Sequence, residues 1–127
     1  MIIYKIRSGK NSKTQQKNYF AVIASMGYVG FEQIAAEIAA KSTTTRADVA
    51  AVLTALEEII PQKISNSHTL RLGRLGSFRP TIRSRNGHRD KAEVTANDIR
   101  SVKCRFLPGT YLRRELELKN LTFSLKK

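Results

Sequence analysis

Apolar side chains recur at every second position in several short segments, which is the pattern of half-buried β-strands. The pattern covers residues 2–6, 70–72, 102–106 and 121–125, and a run of strand-forming residues at 19–23 predicts one more strand. The last of these segments is placed to pair with an N-terminal strand. Residues 8–18 contain no apolar side chain, so we expect a solvated loop there. Its lysines, Lys10, Lys13 and Lys17, fit either phosphate contacts or a soluble hairpin tip.

The apolar period lengthens to that of an amphipathic α-helix in the middle of the chain. The residues that share one face of a first helix are Phe31, Ile34, Ala35, Ile38 and Ala39. Residues 49–60 continue an apolar stripe on a second helix. Thr45 supplies a capping oxygen before that helix, and Asp48 supplies an acidic side chain in its first turn. Pro61 is expected to kink or end the helix near residue 60, since proline lacks an amide proton.

The charge of the chain is strongly and unevenly positive. Its 127 residues carry a formal net charge of +13. The net charge is +5 over residues 1–30, −2 over 31–64, +6 over 65–91 and +4 over 92–127. Such an excess opposes folding and is usually retained for a polyanionic partner. Nucleic acid is the first candidate, and an anionic membrane surface is the second.

Cysteine usage and hydropathy indicate the compartment. One cysteine, Cys104, permits no disulfide within the chain, so a reducing compartment is the default. We expect Cys104 to be a small buried apolar residue of its strand. The N-terminus is too short and too charged for a signal peptide, and no apolar run approaches the length of a membrane span. A soluble, cytoplasmic protein of single-domain size is therefore expected.

The sequence offers no catalytic constellation. His68 and His88 are the only histidines, and neither lies near a candidate nucleophile. There is no phosphate-binding glycine loop of Walker or dinucleotide type, and no Cys/His ligand set for a metal. We therefore expect a protein that is not an enzyme and that uses no cofactor or metal. His88 is expected to be a solvent-exposed turn residue.

The two central helices could also form a helix-turn-helix DNA reader. A recognition helix needs long polar or basic side chains to reach base edges. The second helix offers mostly alanine, valine, leucine and acids, and Arg46 is its only base up to residue 58. We therefore favour the protein core and a subunit interface as the role of these helices.

Two short motifs flank a basic segment. Leu-Gly-Ser-Phe at residues 75–78 precedes it, and Phe-Leu-Pro-Gly at residues 106–109 follows it. Within the segment, Asn86-Gly87 is a turn signal. With two helices before the first motif and one after the second, this order resembles the bacterial HU/IHF histone-like DNA-binding family over roughly residues 31–118. In that family a Gly-Phe-Gly-Thr-Phe signature precedes a two-stranded arm, and Ala-Phe-Lys-Pro-Gly precedes the last helix.

The resemblance implies an α+β, HU/IHF-like fold with a helical base, a small antiparallel sheet and a basic β-arm at about residues 79–101. Residues 1–127 would then be a single DNA-binding domain with two additions, as in extended members. These are an N-terminal β-hairpin at residues 1–24 and a C-terminal strand at 120–127. The resemblance also implies a nucleoid-associated, DNA-condensing homodimer whose arms enter the minor groove of double-stranded DNA. It implies no membrane or small-molecule partner.

The resemblance places eight basic residues on the arm and its returning strand. The candidate DNA-binding residues are Arg79, Arg83, Arg85, Arg89, Lys91, Arg100, Lys103 and Arg105. Arginine suits phosphate and a narrow minor groove, so binding that reads little base sequence is expected. The arm tip, residues 85–88, lacks the family's proline, so sharp kinking by intercalation is not implied. Leu107 and Thr110 replace lysines that flank Pro-Gly in the family, so phosphate contacts are not transferred to them.

Three other interpretations stay open on sequence alone. An RNA-binding or ribosome-associated basic protein would carry the same charge, although the strands lack an aromatic RNP-type motif. A dimeric protein-interaction scaffold would be indifferent to salt. A charged hairpin could serve solubility alone, but acidic residues serve solubility better than basic ones.

Overall fold

The computed structural model describes residues 1–127, which form two compact units. The first unit comprises Met1–Gly30 and Arg114–Lys127, and the second comprises Phe31–Arg113. Six strands and three α-helices make up the chain, so the expected mixed α+β class is confirmed. None of the helices combines the length and the apolar character that a membrane span requires.

A three-stranded sheet dominates the first unit. Strand β1 (Ile2–Lys10) pairs antiparallel with β2 (Lys17–Ile23) and parallel with β6 (Phe123–Leu125). The predicted pairing of the last strand with an N-terminal one is therefore confirmed. Both hairpin strands run further than the apolar alternation indicated, because the backbone ladder continues through polar residues to the pair Lys10 and Lys17.

The first sheet separates its side chains by chemistry. Cross-strand partners in register point to the same face, and one face carries only apolar and aromatic residues along most of its length. We name this the apolar sheet face, made of Ile2, Tyr4, Ile6, Tyr19, Ala21, Ile23, Phe123 and Leu125. The opposite face carries Lys5 and Arg7 beside Val22 and Phe20.

Two helices open the second unit. Helix α1 (Phe31–Ala40) is followed by α2 (Arg46–Ile64). Thr45 caps α2 as predicted, since its hydroxyl accepts a hydrogen bond from the Asp48 amide at 3.1 Å. Of the two outcomes expected of Pro61, a kink or an end near residue 60, the end is not observed, because α2 continues through Pro61 to Ile64. Pro61 and Glu57 are both exposed, so the Glu57 carbonyl that loses its amide partner can be solvated.

An antiparallel sheet in the order β3-β4-β5 completes the second unit, with the short helix α3 (Thr110–Glu115) after it. The strands are β3 (Leu70–Arg71), β4 (Gly76–Ser84) and β5 (Ile99–Pro108). Gly76 has a φ of +147°, and a Cβ on it would collide with the Leu107 carbonyl oxygen. Glycine at this position is therefore required by a close backbone approach.

Few side chains are buried within a single chain. The buried apolar residues are Ala24, Ala35 and Val49. The predicted stripe of α2 is only partly covered, with Val52 65% and Ile59 42% exposed. The expectation that Cys104 is buried is wrong, because an open cleft of about 350 Å³ separates its strand from the last turn of α2.

Candidate nucleic-acid interface

The register of the second sheet places its cations together on one face. Arg79 lies opposite Arg105, Lys103 opposite Thr81, and Arg71 opposite Ser77. Residues in register share a face, and Arg83 follows Arg79 and Thr81 at the two-residue repeat of β4. We name this surface the basic face, and its cations are Arg71, Arg79, Arg83, Lys103 and Arg105. All five side chains belong to exposed residues.

The other face of the same sheet is apolar. Phe78 lies opposite Phe106 with ring centroids 5.0 Å apart, and Ile82 lies opposite Val102. The end of this strand pair lies beside α2, since Ile64 and Val102 line the same cleft. The alternation along β4 and β5 therefore turns one face toward the helices and leaves the cations on the other.

Charges on the basic face are not neutralised within the chain. No Asp or Glu occupies a position in register with the five cations, and none of these cations takes part in an ion pair. Like charges directly opposite in a sheet, such as Arg79 and Arg105, destabilise the pair. The fold nevertheless places these like charges side by side on an exposed face. Such a cluster of unpaired cations is expected at a site for an anionic ligand.

The regular pairing of β4 with β5 is interrupted by a β-bulge. The register shifts between Arg83 and Ser84, because Arg83 pairs with Ser101 while Ser84 pairs with Ile99. Arg100 is the extra residue between these two pairs and belongs to neither. A bulge bends the strand and increases its twist, so Arg100 is separated from the row formed by Lys103 and Arg105.

In the structure the arm tip comprises residues 85–98, between β4 and β5, and it is organised by carboxylates. The Asp90 carboxylate accepts a hydrogen bond from the Ala92 amide at 3.1 Å and caps a 3₁₀ turn. Thr95 and Asp98 form a capping box around a second 3₁₀ turn, in which the Thr95 amide donates to Asp98 at 2.9 Å. These caps satisfy backbone amides that the 3₁₀ turns leave without a partner.

His88 connects these turns. Its Nε2 lies 2.9 Å from Asp98 Oδ1, and its Nδ1 lies 3.4 Å from Glu93 Oε2. The hydrogen bond from the Thr95 amide, followed by the one from His88, holds the pKa of Asp98 below its ordinary value. His88 is exposed, as expected, but its ring also contacts two carboxylates. The imidazole cross-links the two ends of the tip, and its side chain is 33% exposed.

The structure brings together only part of the predicted residue set. Arg79, Arg83, Lys103 and Arg105 share the basic face, and Arg100 lies at the bulge. The remaining three, Arg85, Arg89 and Lys91, are exposed in or beside the tip. The Arg85 amide donates to the Asp98 carbonyl at 2.8 Å, which fixes the start of the tip.

Sequence reasoning missed Arg71 as a member of this surface. Arg71 also lines a cleft of about 360 Å³ with Ser77 and Arg113. The alternation of Leu70, Arg71 and Leu72 already indicated that Arg71 opposes its apolar neighbours, but its alignment with Ser77 depends on the register. Arg74 is a different case, because its guanidinium lies 4.3 Å from the centre of the Tyr111 ring and packs there.

Two solved structures resemble the chain. A candidate DNA-binding protein from Bacteroides vulgatus ATCC 8482 matches with a TM-score of 0.64 at 17% sequence identity, over 97% of this chain and 47% of that one. The chain thus spans about half the length of the Bacteroides protein. HU from Anabaena, crystallised with DNA, matches with a TM-score of 0.56 at 22% identity, over 71% of this chain and 99% of that one.

These likenesses establish the fold, and a comparison with curated proteins gave no match. The family itself follows from the sequence. Residues 1–123 match the model of the HU-HIG family, described as an HU domain fused to wHTH, Ig, or glycine-rich motif. The resemblance to HU is therefore confirmed, and the chain belongs to the HU-HIG family.

Proposed function

We propose that this chain is a histone-like architectural protein that binds double-stranded DNA with little dependence on base sequence. The basic face carries the proposal, because five exposed cations lie together there with no acid in register. Membership of an HU family supports it. The protein would act in the nucleoid, as a binding protein rather than an enzyme.

The basic face suits contacts to the phosphate backbone. Alternate residues on a strand are about 6.7 Å apart, so Arg79, Thr81 and Arg83 form a row of polar groups along β4. Guanidinium groups fork onto phosphate oxygens and lose little hydration on doing so. Such contacts position a protein on a duplex and carry little sequence information.

The arm would extend this contact into the minor groove. Arg85, Arg89 and Arg100 are exposed at the bulge and the tip, and a narrow minor groove attracts arginine through its negative potential. The tip is closed by the hydrogen bonds of His88 and Asp98 and carries no proline wedge. We therefore propose groove insertion without intercalation at the tip.

Two copies of the chain are proposed to form the DNA-binding unit. A monomer of 14.3 kDa is expected to expose roughly 6,800 Å². This chain exposes 11151 Å², so much surface is left for contacts with another chain. In the second unit, the exposed apolar residues include Phe31, Ile38, Val52 and Ile59 of the two long helices. These side chains are the proposed dimer contact.

A salt titration of binding to a duplex of about 30 base pairs tests the proposal. If about six phosphates are neutralised, the logarithm of the binding constant should fall with the logarithm of salt at a slope of roughly −5. Arg79→Gln/Arg105→Gln should lower affinity and flatten the slope by about two, because two phosphate contacts are lost.

Lys126→Gln/Lys127→Gln is the matched control, since it removes the same charge from the first unit. This variant should keep the wild-type slope. Equal losses in both variants would show a response to net charge alone and would contradict the basic face as the site. A same-length RNA duplex bound as tightly as DNA would favour the RNA-binding alternative.

A further inference from the structure

We propose that the apolar sheet face of the first unit packs against the same face of a second copy of the chain. This contact is distinct from the helix contact proposed above and does not depend on DNA binding. The face has no charged side chain from Ile2 to Ile6 or from Tyr19 to Ile23 in its register positions. Nothing within the first unit covers it, since Ile6 is 61%, Tyr19 65% and Ile23 63% exposed.

The exposed area is sufficient for a specific contact. Five members of the face, Ile6, Tyr19, Ile23, Phe123 and Leu125, are each about half to two-thirds exposed. Side chains of this size then contribute roughly 100 Å² each, or about 500 Å² per copy. Two copies would bury about 1,000 Å² in total, which is the minimum for a biological interface and the size of a weak, reversible contact. A contiguous apolar patch of about 500 Å² lies in the upper part of the range for the largest patch on a typical monomer, and patches of that size are often functional.

The chemistry of the face fits a second copy better than another class of partner. It offers no cation to a nucleic acid and no row of charges to a charged protein. An isologous two-fold contact requires a surface that complements itself, and an uncharged apolar face meets that condition. A shallow groove of about 510 Å³ among Ile2, Tyr4, Ile23 and Phe123 gives room for side chains of the opposite sheet to interlock.

The charges at the edge of the face are consistent with this arrangement. Lys10 and Lys17 pair at the turn end of the hairpin, and Lys17 Nζ lies 5.8 Å from the centre of the Tyr19 ring. A two-fold axis through the middle of the face, with the hairpins antiparallel, puts the two lysine pairs at opposite ends of the interface. The like charges then stay apart in solvent.

Sedimentation of the full chain without DNA tests this contact. Because the helix contact already pairs two chains, the sheet contact should appear as association of these dimers. Ile6→Thr/Ile23→Thr keeps β-branched side chains on the strands but removes apolar surface from the face, and should raise the dissociation constant of that second association step at least tenfold. Lys5→Thr/Arg7→Thr is the matched control on the opposite face and should change it less than twofold. Unchanged association in the first variant, or equal weakening in both, would overturn the proposal.

A fluorescence measurement covers the case in which the double variant fails to fold. The chain contains no tryptophan, so Tyr19→Trp places a single probe on the apolar sheet face and Phe20→Trp places one on the opposite face. The emission of the first probe should shift to shorter wavelength as protein concentration rises, while that of the second stays constant. A Tyr19→Trp emission that is independent of concentration while the chain self-associates would overturn the proposal.

Discussion

Acidic residues in the arm tip have structural partners. Asp90 caps one 3₁₀ turn, Asp98 caps another, and Glu93 lies beside His88. The tip lies in a strongly basic part of the chain, so these carboxylates partly offset the positive electrostatic potential of the neighbouring arginines. A short exposed loop has little apolar packing of its own. The hydrogen bonds of these carboxylates therefore stabilise the turns of the tip.

The lowered pKa of Asp98 makes the capping box sensitive to acid. A carboxyl group whose pKa is lower in the folded state stabilises that state above its unfolded pKa, and the contribution is lost as pH falls through the folded value. We expect the tip to be intact at neutral pH and to loosen below about pH 4. The amide signal of Thr95, which donates to Asp98, should report the change in NMR spectra.

Asp98→Asn is the control for that titration. Its Thr95 amide should show no transition at acidic pH, because the titrating group has been removed. A wild-type Thr95 signal that is constant down to pH 2 would contradict the role of the Asp98 carboxylate.

Gly76 is expected to tolerate no side chain. Gly76→Ala combines a φ of +147° with a collision against the Leu107 carbonyl, and should lower the free energy of unfolding by roughly 2–4 kcal/mol. Gly87→Ala is the matched control, since nothing lies within 4 Å of its Cβ position and its φ is not positive. That change should stay within about 0.5 kcal/mol. Urea unfolding curves that coincide for the two variants would show that Gly76 is not required by the close approach of Leu107.

At the scale of elements, the sequence predicted those features that depend on neighbours along the chain. Alternation located the strands that contain Leu70 and Val102, and the capping preference of threonine located the start of α2 at Thr45. Features that depend on distant partners could not be predicted. His88 meets Asp98 ten residues later only because the bulge and two turns bring them together, and Arg71 joins the basic face only through the register of β3 and β4.

The cations proposed to bind DNA on β4 and β5 also repel one another and so lower the stability of the fold. Arg79 lies directly opposite Arg105, so Arg79→Thr should raise the free energy of unfolding by about 0.2–1 kcal/mol at low salt by removing repulsion. The gain should vanish in 1 M salt, where the Debye length is about 3 Å. Lys103→Thr, opposite the neutral Thr81, should gain less. A gain that is equal in low and high salt would show that the effect is not electrostatic.

At the scale of the whole molecule, the chain leaves unusually much apolar surface uncovered. Its buried apolar residues number only three, while apolar residues of the helices and of the first sheet remain exposed. A single copy therefore lacks a core of the size expected for its length. The sequence indicated this at α2, where the apolar stripe is long, but the segregation of the first sheet into two faces emerged only with its register.

DNA protection of thiols on the two faces of β4 would show which face of the second sheet contacts the duplex. In a Cys104→Ser background, Thr81→Cys places the sole thiol on the basic face, and Ile82→Cys places it on the opposite one. We predict that duplex DNA slows maleimide labelling at position 81 at least tenfold and leaves position 82 within twofold. Protection of position 82 alone, or of neither position while DNA is bound, would contradict the assignment of DNA binding to the basic face.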